Sequence, residues 1–142
     1  MALLKTKGIF INNRQPIGLM DSLRRVAIVL AAVAVVGALG IPLGDPRFVP
    51  QAVVLEGSFV ALAVLSARHY RHVYIPNFVI AAIVIAGNSA FYKHIEIMTT
   101  LHPLYNAIVL ITGGYVLQGL LIFTNILAYQ ENKRVTLRSK AG

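Results

Sequence analysis

Glu56 lies within VVLEGSFVALAVL, residues 53 to 65, a run otherwise as apolar as lipid. An ionisable group at membrane depth is costly, so it has a partner, holds a proton or does work. Three roles fit it. The preferred one is a structural carboxyl, protonated or hydrogen-bonded to a polar neighbour. The others are a station on a proton or cation path, and a carboxyl facing a water-filled cleft or a cofactor in a neighbouring chain.

A second group with chemical potential is FYKHIEIMTTLHPLY, residues 91 to 105, which holds His94, Glu96 and His102. Imidazole and carboxylate suit copper, zinc or iron. The spacing, however, is unlike two histidines one turn apart on a helix, so a solvated or partner-contacting loop is preferred and no metal is expected. A third group, ARHYRH at residues 67 to 72, sets His69 and His72 beside Arg68 and Arg71. Two arginines repel a cation and suit lipid headgroups.

Other chemistries are excluded by absence. The chain has no cysteine, which removes disulfides, thiolate zinc sites, iron–sulfur clusters and cysteine nucleophiles. It has no nucleotide-binding loop, no Ser–His–Asp set and no paired-carboxylate site. The Gly113-Gly114 pair reads as a close helix approach or a local bend. No catalysis is expected of this chain alone, and no cofactor beyond bound lipid.

The elements that position these groups are membrane helices. With 57% hydrophobic and 13% charged residues in 142 and a mean hydropathy of +0.72, the chain reads as one membrane domain. A bilayer core needs about 20 apolar residues in a helix. Four runs answer, predicting an all-α integral membrane four-helix bundle with helices at about 22–43, 49–67, 74–92 and 106–129. A basic interfacial segment is expected at 1–21 and a basic tail at 130–142. All six prolines fall between or at the edges of the runs, where the missing N–H does least harm. Phe48, Phe91, Tyr92 and Tyr105 collect at one edge and Tyr70, Tyr74 and Tyr129 at the other, as an interfacial belt does.

Eleven of the thirteen lysines and arginines fall on one side of this arrangement. The positive-inside rule then puts both termini in the cytoplasm, in the cell membrane. The net charge of +8 is accordingly assigned to anionic lipids, with Arg24, Arg25, Arg68, Arg71, Lys133 and Arg134 as headgroup contacts, and not to nucleic acid.

Small residues four apart, at Ala34 and Ala38, at Gly57 and Ala61, and at Ala82, Ala86 and Ala90, predict packing faces. Polar residues predict more. Gln118 and Asn125, seven apart, form one stripe, and Asn77 and Asn88, eleven apart, form another, each offset by about 20°. At about 1.5 Å per residue, Glu56, Asn88, Thr112 and Tyr115 reach similar depths in the outer half of the bundle, and a cluster of these four is expected, with Gln118 and Asn125 nearer the cytoplasm.

The order of an acidic second helix (LEGSFVALAVL), a basic and aromatic turn before a proline-led third helix (RHYRHVYIPNFVIAAIVIAGN), then KHIEI and a fourth helix ending in ENKR resembles the phosphate-starvation-inducible E family of four-helix membrane proteins over about residues 50 to 134. Asn88 stands where that family carries an arginine. The resemblance implies architecture and a stand-alone, stress-related membrane protein. In size and polarity the chain is also similar to small accessory subunits of membrane oxidases and copper monooxygenases, such as the ammonia monooxygenase of archaea. The expected function is therefore a non-catalytic accessory subunit whose partners are other membrane subunits. The alternative is a small homo-oligomeric proton-coupled transporter or channel that uses Glu56.

Overall fold

The computed structural model describes residues 17–142, with side chains from Asp21 onward; residues 1–16 of the interfacial segment expected at 1–21 lie outside the described residues. The described chain is all helical: α1 (Ile17–Gly40), α2 (Val49–Ala67), α3 (Tyr74–Ala90), α4 (Tyr92–Thr100), α5 (Leu104–Ile111) and α6 (Leu117–Ala141). A π-helical turn at Thr112–Val116 joins α5 to α6 without a break. Four stretches are long and apolar enough to cross a membrane: Asp21–Leu43, Pro46–Ala67, Arg71–Ala90 and Leu104–Ala141.

Local chemistry explains the ends. After Gly40 the chain tightens into a 3-10 turn, Ile41–Leu43, where Pro42 cannot donate an α-helical hydrogen bond. Asp45 then accepts from the Arg47 N–H at 3.0 Å and caps the next turn, Pro46–Phe48. Pro50 and Pro76 sit in the first turns of α2 and α3, where the backbone N–H would be unpaired anyway. α2 closes with paired bonds, His69 N–H to Ser66 C=O and Tyr70 N–H to Leu65 C=O, both 3.0 Å. With His69 left-handed at φ 59°, this is a Schellman closure.

The expected limits of the second helix match α2. Elsewhere the limits differ. α1 begins at Ile17, five residues before the expected start, because residues 17–21 hold no proline and Ser22 and Leu23 are already buried. The third helix stops at Ala90, where Phe91 turns extended, and the expected loop that follows is mostly the short helix α4. The expected tail at 130–142 is helical through Ala141. Residues 104–141 thus rise about 57 Å, nearly twice the roughly 30 Å of a bilayer core.

The core lies between α1 and α6. α1 buries Leu23, Val26, Leu30 and Val33, which share one core cluster with Leu121 and Ala128 of α6, Ile80 and Ala81 of α3 and Phe59 of α2. α2 packs on α1, α1 on α6, and α6 on α3, whereas α2 and α3 do not pack on one another to a comparable extent. An open groove of about 830 Å³ is left between them. Its ends are tied: the turn 68–73 joins the two helices, and Phe48 meets Phe91 edge-on at 5.7 Å at the other end. The end of the bundle that holds the turn 68–73 and the α6 extension is called the basic end below.

Of the small residues expected to make packing faces, Ala34 packs against the core and the others do not pack within the chain. Ala38, Ala61, Ala82, Ala86 and Ala90 are exposed, and a Cβ on Gly57 would meet nothing within 4 Å. The close approaches use other glycines. A Cβ on Gly40 would stand 3.1 Å from Val109 Cγ1, and one on Gly113 would stand 2.9 Å from Val36 Cγ1. Of the expected aromatic belt, Phe48, Phe91, Tyr92, Tyr105, Tyr70 and Tyr129 are exposed; Tyr74 is buried, with its ring edge-on to Tyr129 at 5.7 Å.

Candidate functional site

The polar side chains of the spans fall into separate sites because the order of the helices keeps them apart. Toward the basic end, Asn77 of α3 donates through Nδ2 to Asn125 Oδ1 of α6 at 3.2 Å, and Asn125 Nδ2 donates to the Tyr74 carbonyl at 2.8 Å. Both amides are buried. This pairing sews α6 to the first turn of α3 with directional bonds, where apolar contact alone gives little preference over lipid. Asn77 Oδ1 is left buried without a partner, as are Ser66 Oγ and the Tyr74 hydroxyl.

About ten ångströms along α6 is Gln118, seven residues before Asn125. Its Nε2 donates to the Gly113 carbonyl at 2.9 Å. In the π turn the Leu117 N–H reaches the Thr112 carbonyl five residues back, and Gln118 adds a side-chain donor to the widened ladder. Such turns are rare and are often found at functional sites. Here the turn puts Gly113 against Val36 of α1, and Gly114 against the Asn88 amide of α3, where a Cβ would overlap it. The next residue, Tyr115, shares a 3.0 Å hydrogen bond with Ser89 of α3. One stretch of five residues therefore touches both flanking helices.

Glu56 stands outside this assembly. Its carboxyl lies over Gly37 of α1, in the space a Cβ would take. Oε1 is buried without a partner, and Glu56 makes no hydrogen bond among the described residues. The expected cluster of Glu56, Asn88, Thr112 and Tyr115 is thus divided. Asn88 and Tyr115 meet the α3–α6 seam, Thr112 enters through its carbonyl, and Glu56 sits in the α1–α2 seam. Depth alone placed them together; the packing of α2 on α1 and of α3 on α6 separates them.

His94, Glu96 and His102 are not brought into one coordination sphere. The His94 ring packs on Phe91 at 5.5 Å, and burial pushes its pKa below the usual imidazole range. Glu96 and His102 line a surface hollow of about 430 Å³ with Lys93 and Thr100. Among the described residues no three histidine, aspartate or glutamate side chains are grouped as a metal site. Arg24, Arg25, Arg68, Arg71, Lys133 and Arg134 are all exposed.

Sequence reading missed Gly37, Ser89 and the Tyr74 carbonyl as partners. Gly37 carried a signal, being a glycine in the middle of a long alanine and valine helix, where only a close approach repays its entropy. Ser89 also stood next to Asn88. The carbonyl carried none, since any residue offers one.

Compared with models of known protein families, with characterised proteins and with solved structures, the chain finds no match.

Proposed function

We propose that this chain is a non-catalytic accessory subunit of a larger membrane complex, of the kind formed by membrane oxidases and copper monooxygenases, with both termini in the cytoplasm. The observation that carries the reading is the state of α2. Only 6% of its apolar window is buried within the chain, against 28% for α1 and α3, yet it bears the intramembrane carboxyl. A helix of this kind, packed along one side on α1, keeps most of its surface for neighbours. The polar bonds between spans, Asn77 with Asn125, Asn125 with the Tyr74 carbonyl and Ser89 with Tyr115, pair helices, as a scaffold requires. Native purification in mild detergent, followed by identification of the accompanying chains, tests the reading. Larger membrane subunits at fixed stoichiometry are expected; a lone homo-oligomer would overturn it and favour the stand-alone protein implied by the family resemblance.

The unpartnered Oε1 of Glu56 supports a second reading, a proton-coupled transporter or channel. Purified chain in liposomes would then carry protons, and Glu56→Gln would abolish the flux with assembly intact. Equal flux in both proteins would remove this reading.

A further inference from the structure

We infer that the groove between α2 and α3 is a binding site for one membrane phospholipid with an anionic headgroup, its acyl chain in the groove and its phosphate on Arg68 and Arg71. The walls are apolar: Val54, Ala61 and Leu62 of α2 face Val79, Ile80 and Ile83 of α3. Ser58 also lines the groove, but its hydroxyl is spent on the Val54 carbonyl at 2.9 Å. It offers a ligand no free donor, and the other polar lining residue, Gln51, lies at the end of the groove away from the basic turn, so the wall between is hydrocarbon.

The groove opens toward the basic end. Its α3 wall starts at Pro76, five residues after Arg71, and its α2 wall ends at Leu62, six residues or about 9 Å before Arg68. Charge fits the headgroup. The turn that carries Arg68 and Arg71 is the segment that joins the two walls, and both side chains are exposed with no ion pair among the described residues. The backbone that carries them is held: the two bonds of the Schellman closure fix the chain at His69 and Tyr70, and Tyr70 packs edge-on to His72 at 5.4 Å. A basic pair on the turn that closes one end of an apolar groove is complementary to an anionic lipid in both of its parts. This inference stands independently of the subunit reading.

The test is native mass spectrometry of the full chain, titrated with phosphatidylglycerol or with phosphatidylcholine of the same acyl chains. One phosphatidylglycerol should bind in preference. Arg68→Gln with Arg71→Gln should weaken it about thirtyfold, as expected when two basic residues at the membrane surface lose their attraction to it. Arg24→Gln with Arg25→Gln should leave it unchanged, and Ala61→Phe should block the slot. In parallel, phosphatidylglycerol carrying a photoreactive acyl chain should cross-link wild-type protein within residues 50–62 and 76–83, which keeps the test intact if the phenylalanine variant fails to fold. Equal retention of the two lipids would overturn the inference. So would equal losses from the two arginine pairs, cross-links elsewhere, or a partner helix or second copy cross-linked in the groove.

Discussion

Removing Asn125 should cost more than removing Asn77, although the two share a hydrogen bond. Asn125 makes two bonds, one to Asn77 at 3.2 Å and one to the Tyr74 carbonyl at 2.8 Å, while Asn77 makes only the first and already buries an unpartnered Oδ1. Interhelical bonds of this kind in membranes average about 0.6 kcal/mol and reach about 1.7. Asn125→Ala loses two, roughly 1.2 kcal/mol, and strands the Asn77 amide, which adds about 1 to 3 kcal/mol for an unpaired buried group. Asn77→Ala loses one bond, strands Asn125 Oδ1, but also deletes an acceptor that had no partner, so its net cost is about 1 kcal/mol or less. The expected order is Asn125→Ala above Asn77→Ala by at least about 1 kcal/mol, with a coupling near 0.6 kcal/mol in the double-mutant cycle. Reversible unfolding in mixed micelles with increasing dodecyl sulfate measures all four proteins at one detergent composition. Equal costs, or a coupling of zero, would refute the assignment of the α3–α6 seam to this pair.

The glycines should separate by what faces them. Gly113→Ala drives a methyl into Val36, a β-branched side chain with little freedom on a helix, and should destabilise by about 1 to 3 kcal/mol, whereas Gly119→Ala, with nothing within 4 Å, should stabilise by about 0.5 to 1 kcal/mol; the same micelle assay reads both. His69→Gly should stabilise by roughly 1 kcal/mol, because a left-handed residue at φ 59° costs least as glycine. His94 is held below its ordinary pKa by burial, so the unfolded chain binds a proton more readily than the folded one. Stability present above the ordinary histidine range is then lost as pH falls through that range toward the lower folded value. Thermal unfolding from about pH 7.5 down to 5 should show this loss, and His94→Phe, which keeps a ring against Phe91, should reduce it.

The spans were legible because lipid imposes one requirement, a helix of sufficient apolar length, and composition states it directly. The limits of α2 followed from its prolines and polar flanks. The far end of α6 did not, since apolar length marks where a membrane stops and not where a helix stops. Residues 130–141 contain neither proline nor glycine, and a helix already formed continues through them at little cost. α4 was read as a loop for a related reason, because YKHIEIMTT is too short and too polar to announce a span yet forms nine helical residues. The π turn was foreshadowed only by its glycine pair.

The polar sites show a different limit. Spacing along one helix gives angle and rise, so Gln118 with Asn125, and Asn77 with Asn88, were placed correctly on their own helices. Which helices are neighbours is not contained in those two coordinates. Four helices of similar length admit several cyclic orders, and residues at one depth meet only if their helices adjoin. Here α1 and α6 occupy the middle, so α3 finds its polar partners on α6, and Glu56 on α2 finds only the backbone space left by Gly37. The same order leaves the α2–α3 edge open. The isolation of Glu56 and the existence of the groove therefore have one cause, the choice of α1 and α6 as the central pair. Gly113 helps to set that choice, because a side chain there would push the π turn away from Val36 of α1, whereas one at Gly37 would meet only the movable end of Glu56.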